Sequence, residues 1–330
     1  MPGGEDLRIV IVGPGALGCL LAARLHPAHR MKGKGKGQSH SVILLDHCPR
    51  RARRLNHQGI ILEEDDRRWR CPVPVGADPA APAPAELIFL CVKSPAVPAA
   101  LRHCRPLLGQ NSLLIALQNG IGHLAPLHDA RIPFALGTTS EGATLLGPGH
   151  IRYGGAGFTF LGFPEKPLPE HSRLLQKAAD LLNRAGLRTE ISKNIQQRIH
   201  EKLFINVGIN ALTALNDITN GELLASAALR ETMISAVKEA VAVTRAQGIA
   251  VTVDPVDAVL QVCRATARNT SSMLQDIRHR RPTEIDAING AVVSAGRSLG
   301  IPTPVNRELT EKIHRLQSRF ATDKNGEGQG

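Results

Sequence analysis

Aromatic side chains are scarce, with seven Phe, one Trp and one Tyr in 330 residues. So few π-faces cannot build the stacking platform that holds single-stranded nucleic acid. Six cysteines (19, 48, 71, 91, 104, 263) form no Cys-x-x-Cys pair, and thirteen histidines show no metal-like grouping. No metal site is expected, and the thiols read as reduced. No apolar run reaches the ~20 residues of a membrane span. The short polar stretch Met1–Asp6 does not read as a secretory leader, so a cytoplasmic protein is expected. A Ser/His/Asp hydrolase elbow, a zincin helix and a Walker loop are also missing.

What is present is an ordinary globular composition, 42 % hydrophobic and 21 % charged. The length suits about two domains. Forty Lys+Arg against 29 Asp+Glu give a net charge of +11. The basic residues fall in separate clusters (Lys32, Lys34, Lys36; Arg50, Arg51, Arg53, Arg54; Arg278, Arg280, Arg281) and make no continuous stripe along a helix. A basic surface with a local site for a small anion is expected, not a nucleic-acid partner.

The first half alternates apolar runs with helical or loop segments. Leu7–Val12, Ser41–Asp46, Leu87–Val92 and Ser112–Leu117 read as strands, Ala16–His26 and Pro98–Arg105 as helices. Such near-continuous apolar strands predict a parallel sheet covered on both faces. Met31–Gln38 is a Gly/Lys-alternating insertion, Gly76–Ala85 a Pro/Ala connection, and Gly142–Gly162 a pair of antiparallel strands around a Pro-Gly turn. Helical patterns follow at Ile195–Leu215, Ala227–Gln247, Pro255–Ala267, Thr283–Leu299 and Pro304–Phe320. The expected fold class is α/β, a Rossmann-type doubly wound domain over 1–190 and an all-helical domain over 191–320. A disordered tail is expected over 321–330.

Gly13-Pro14-Gly15-Ala16-Leu17-Gly18 fits G-x-G-x-x-G. It follows a strand and opens an apolar helix, the context in which that pattern binds a dinucleotide. Gly13 permits the turn, Gly15 lets backbone approach a pyrophosphate, and Gly18 lets helix and sheet pack. The second strand ends at Asp46, an acceptor suited to the ribose 2′-hydroxyl of NAD. Arg50 and Arg51 just beyond it could instead reach the 2′-phosphate of NADP.

Glu201–Leu215 is largely apolar yet carries Lys202, Asn206 and Asn210 at i, i+4 and i+8. These lie along one narrow stripe. Burying an ammonium and two amides without partners is costly, so the stripe must face a polar seam or a ligand, and an oxygen-rich anion suits it. Asn269, Ser271 and Ser272 form a second polar cluster, in which either serine reads equally as a helix cap. Glu284 and Asp286 after Pro282 read equally as an ordinary helix start.

With these residues assembled, the chain resembles the ketopantoate reductase (2-dehydropantoate 2-reductase) family over roughly residues 7–318. The resemblance is carried by GPGALG, CVKS at 91–94, LQNGIG at 117–122, EKLFINVGINALTAL with Asn220-Gly221-Glu222-Leu223, NTSSMLQDI and RPTEIDAINGAVV. It implies an NADP(H)-dependent oxidoreductase acting on CH–OH groups, in pantothenate biosynthesis. It makes Lys202 the proton donor and Glu284 the acid where cofactor and substrate meet. Asn206, Asn210, Asn220, Asn269 and Ser272 become substrate contacts. Lys93 and Asn119 become cofactor contacts, Asn119 also lying near the substrate, and Ala143 a backbone contact to the nucleotide. Asp46-His47 stands where the family often has a basic residue, which leaves NAD(H) open. Asn210-Ala211 replaces a frequent Asn-Pro.

The implied partner is a small 2-oxo acid, and the implied protein a monomer or homodimer. Two other readings share these motifs: a related two-domain reductase acting on another 2-oxo or hydroxy acid, and a catalytically silent nucleotide-binding regulator.

Overall fold

Leu7–Val12 is apolar at every position but Arg8, and it forms the strand (β1) on which the first sheet is organised. The structure, a computed structural model, describes residues 7–27, 40–79 and 84–326, the side chains of 321–326 excepted. The Gly/Lys segment 31–38 lies outside the described residues. The chain divides into two compact units, residues 1–118 with 124–195, and residues 119–123 with 196–330.

In the first unit the further strands are His40–Leu45 (β2), Ile60–Glu64 (β3), Arg67–Cys71 (β4), Val75–Gly76 (β5), Ala85–Leu90 (β6) and Leu108–Ala116 (β7). Phe134–Thr139 (β8), Gly142–Gly147 (β9), His150–Gly155 (β10), Thr159–Gly162 (β11) and Thr189–Ile191 (β12) complete them. The larger sheet has the order β12-β11-β8-β7-β6-β1-β2-β5. β1 pairs in parallel with both β2 and β6, so the strand order reverses there. Such a reversal leaves a crevice beyond the carboxyl ends of the strands. β11 runs antiparallel to β8. A smaller sheet, β4-β3-β10-β9, carries the expected antiparallel pair β9–β10.

The first-unit helices are Ala16–Leu25 (α1), Pro49–Gln58 (α2), Val97–Cys104 (α3), Leu124–Asp129 (α4) and Pro169–Arg184 (α5). Ile9, Ile11, Leu20, Leu25, Leu44, Leu87 and Phe89 are fully buried and form the centre of its core. Each such side chain stabilises the fold by roughly 1.5–3 kcal/mol.

In the second unit the helices are Ile195–Asn216 (α6), which begins one residue before that unit, Ala227–Ala246 (α7), Pro255–Ala265 (α8), Ser272–Arg278 (α9), Asn289–Leu299 (α10) and Pro304–Gly326 (α11). α6 is buried nearly all round: Leu203, Phe204, Val207 and Leu212 join Met233, Val237, Val259 and Cys263 in one cluster. A Cβ at Gly208 would stand 2.9 Å from Val259 and 3.1 Å from Val237. Glycine there sets how closely α6 meets α7 and α8.

Three expectations need correction. The helix expected over Thr283–Leu299 is a 3-10 turn, Ile285–Ala287, followed by α10, with the break at Ile288 (φ −105°, ψ −94°). The break leaves the Ala287 carbonyl to accept from the Ile121 N–H at 2.9 Å. For the same reason Asn119–His123, expected inside the first domain, belong to the second unit, and the main division falls at 195/196 rather than 190/191. α11 runs to Gly326, past the expected limit at 320, because no glycine or proline interrupts it earlier.

Candidate active site

The glycine turn joins β1 to α1. Gly13 has φ +104°, and a Cβ on it would stand 2.7 Å from Val92 Cγ1. A Cβ on Gly18 would collide with the Gly13 carbonyl oxygen. Both glycines are therefore required by the protein's own packing.

Gly15 is different. Its φ is −76°, and the nearest atom to a Cβ there is the Cys91 carbonyl oxygen at 3.9 Å. Neither strain nor crowding demands glycine at 15; its bareness keeps space open over the first turn of α1. That turn has no acidic residue and no side-chain cap, so its N–H groups and helix dipole suit an anion. Pro14, Ala16 and Leu17 complete the turn. The residues present thus fit a dinucleotide pyrophosphate.

Lys93 follows β6 and precedes a 3-10 turn, Ser94–Ala96, at this same end of the sheet. Gln118 closes the end of β7: its Nε2 donates to the carbonyls of Leu90 at 2.8 Å and Val92 at 3.0 Å. Ala143 lies on β9 opposite Tyr153, against the core that α1 shares.

Asp46 does not stand as a free acceptor. It is wholly buried. Arg51 of α2 binds it side-on, Nε to Oδ2 at 2.5 Å and Nη2 to Oδ1 at 2.6 Å. The Cys48 N–H donates to Oδ1 at 3.0 Å. This pairing with Arg51 and the Cys48 N–H is one that the sequence alone cannot display.

In the second unit, Lys202 on α6 meets the loop that starts at Asn119. Its Nζ donates to Asn119 Oδ1 at 2.8 Å, and Asn119 Nδ2 donates to Glu284 Oε2 at 2.9 Å. One amide thus links the amine to the carboxylate, each of its ends committed by charge. Gly120 makes the approach feasible: its φ is +74°, and a Cβ would collide with the Ala287 carbonyl oxygen. Burial lowers the Lys202 pKa from its ordinary 10.5 to about 8, against the opposing field of Glu284.

Along the same helix Asn206 is half-buried and Asn210 buried. The stripe continues at Thr213, whose hydroxyl donates to Ser271 Oγ at 2.7 Å. Ser271 is the N-cap of α9, accepting from the Leu274 N–H, so the neighbouring Ser272 is left exposed at the first helical position. Asn220 joins a second turn: its N–H donates to the Asn269 carbonyl at 3.0 Å and its Nδ2 to Thr266 Oγ1 at 2.9 Å. The Asn269 side chain is exposed.

The second unit therefore brings Lys202, Asn119 and Glu284 into one bonded set and ties the serine segment to the same helix. Gly13–Gly18, Asp46, Lys93 and Ala143 belong to the first unit. Gln118 and Thr213 were missed in the sequence. Thr213 was findable, since it extends the polar series by one more helical step of three.

Among the described residues no group of three or more His, Cys, Asp or Glu could hold a metal ion. No helix among them is long and apolar enough to cross a membrane.

A largely parallel sheet with a bare glycine turn at its strand reversal, and a helical unit with an amine linked through one amide to an acid, suit a nicotinamide-dependent oxidoreductase. The chain belongs to the ketopantoate reductase family: residues 9–166 match Ketopantoate reductase PanE/ApbA, and residues 194–317 match its C-terminal part. It is 33 % identical to the 2-dehydropantoate 2-reductase of Halobacterium salinarum, over 94 % of this chain and 99 % of that protein. Against the enzyme of the same name from Vibrio cholerae, identity is 32 %, over 96 % and 99 %.

A ketopantoate reductase structure from Ralstonia eutropha superposes with a TM-score of 0.83 at 28 % identity, over 96 % of this chain and all of that one. A ternary structure of D-mandelate dehydrogenase with NADH and anilino(oxo)acetate gives 0.85 at 25 % identity, over the same shares.

Proposed function

We propose that this chain reduces 2-dehydropantoate to (R)-pantoate with NAD(P)H, in cytoplasmic pantothenate biosynthesis, as a monomer or homodimer. The observation that carries the reading is the bonded set Lys202–Asn119–Glu284 on the helical unit.

A reduced nicotinamide, when bound, supplies hydride to the ketone carbon. Gly13–Gly18 hold the pyrophosphate through backbone N–H groups, with Lys93 and Ala143 as further contacts. Lys202 holds a proton next to the ketone oxygen, where negative charge develops. Its ammonium stabilises the alkoxide and then protonates it. With a pKa of about 8, it is charged at neutral pH and still yields its proton readily.

Asn119 fixes the amine's direction by accepting from it. Glu284 holds Asn119 from the other side, and its carboxylate keeps the ammonium charged. Asn206, Asn210 and Asn220 contact the substrate, and Asn269 and Ser272 hold its carboxylate and hydroxyl side.

The likeness to D-mandelate dehydrogenase supports a second reading, in which the substrate is another 2-oxo acid. The test is NAD(P)H oxidation by the purified protein with 2-dehydropantoate and with phenylglyoxylate and 2-oxoisovalerate. The proposal expects 2-dehydropantoate to give the highest kcat/KM and (R)-pantoate to accumulate. A higher kcat/KM with either rival assigns the second reading. No turnover with any of them, alongside bound dinucleotide, leaves the silent regulator.

A further inference from the structure

Asp46 ends β2, the place where an acidic side chain ordinarily accepts from the adenosine ribose. Here its acceptor capacity is largely spent. The carboxylate is wholly buried and takes three hydrogen bonds, two from the Arg51 guanidinium and one from the Cys48 N–H. A ribose hydroxyl would have to displace a bidentate, charge-assisted pair to reach it.

The guanidinium is in the opposite position. It has five N–H donors and spends one from Nε and one from Nη2 on Asp46. Both Nη1 donors and the second Nη2 donor are not used by that pair, and the Arg51 side chain is 37 % exposed. Asp46 thus holds the planar fork in a fixed plane, and the side chain keeps access to solvent. The surroundings add to this polarity. Arg50 is exposed beside it, the His47 side chain is 78 % exposed, and the first turn of α2 has no acidic residue.

We propose that Arg51, oriented by Asp46, is the residue that selects the cofactor, binding the 2′-phosphate of NADP(H), and that Asp46 is a positioning residue rather than a ribose ligand. This inference rests on the reading of the first unit as a dinucleotide site and deepens it. The local signal for NAD is thereby inverted: an acid at the end of β2 presents a donor surface, because its charge is neutralised from within.

The test is calorimetric binding of 2′,5′-ADP, 5′-ADP, NADPH and NADH to the wild-type chain and to Arg51→Ala, Arg51→Lys and Asp46→Asn, with thermal melting as a check on folding. Wild type is expected to bind 2′,5′-ADP and NADPH about tenfold or more tighter than 5′-ADP and NADH. Arg51→Ala removes that preference and leaves NADH within about threefold of wild type. Arg51→Lys restores part of it, since a point charge lacks the fork. Asp46→Asn also lowers the preference, by releasing Arg51.

The proposal is overturned if wild type prefers NADH and Asp46→Asn weakens NADH selectively, since Asp46 would then be the ribose acceptor. It is also overturned if Arg51→Ala leaves the preference intact. Failure of wild type to bind either dinucleotide overturns the dinucleotide reading itself, a distinct result. Should Asp46→Asn fail to fold, the two Arg51 variants decide.

Discussion

Lys202 and Asn119, 83 positions apart, are joined by a single hydrogen bond of 2.8 Å from amine to amide oxygen. Helix α6 supplies one partner, and a loop held against the Ala287 carbonyl supplies the other. Because Asn119 donates in turn to Glu284, its amide cannot turn over without setting like against like at both ends. The direction of the Lys202 amine is thus fixed before substrate arrives, the kind of preorganisation that lowers the barrier to proton transfer.

Ketone reduction should depend on pH through this amine. The acid form donates, so kcat/KM should be level below about pH 8 and fall about tenfold per unit above it. Glu284 opposes the burial effect and raises the Lys202 pKa. Glu284→Gln should therefore move the break to lower pH. A pH–rate series on both proteins checks this, and a break that stays in place or moves upward contradicts it.

Two glycines of the turn should behave differently. A Cβ at 18 collides with the Gly13 carbonyl, whereas one at 15 meets nothing closer than 3.9 Å. Gly18→Ala should lower stability by several kcal/mol, about the cost of forcing a group into a close-packed site. Gly15→Ala should melt within a degree or two of wild type while weakening dinucleotide binding about tenfold or more. Melting curves and dinucleotide titrations separate the two.

Gly120→Ala tests the loop. A positive φ costs a non-glycine residue roughly 1–2 kcal/mol, and the collision with the Ala287 carbonyl adds to it. Asn119 should be displaced, so turnover should fall by about tenfold or more. Dinucleotide affinity, set largely by the glycine turn, should change by less than about threefold. Equal losses of turnover and affinity would contradict the role assigned to the loop.

Much of this arrangement is legible in the sequence. β1 falls where the apolar run LRIVIV places it, and α6 spans the expected helix to within one residue. The polar stripe was visible because ammonium and amides inside an apolar helix require partners. Partners distant in sequence were not visible. Nothing local says that Asn119 bonds Lys202, or that Arg51 occupies the Asp46 carboxylate.

α2 and the β3–β4 hairpin have no counterpart among the expected elements, and for a shared reason. PRRARRLNHQ buries only Ala52 and Leu55. The hairpin turns at Asp65-Asp66, with Asp65 at φ +51°, not at the Asn-Gly or Asp-Gly that marks such turns. In both segments charge hides the apolar period. The break at Ile288 was hidden because Pro282, Glu284 and Asp286 imitate a helix start.

The most direct test of the account is single-turnover reduction of 2-dehydropantoate by Lys202→Ala, with dinucleotide affinity measured on the same preparation. The account predicts a rate lower by about 10²–10⁴-fold, with the dinucleotide Kd within about twofold of wild type. A variant that reduces the ketone at the wild-type rate would contradict it.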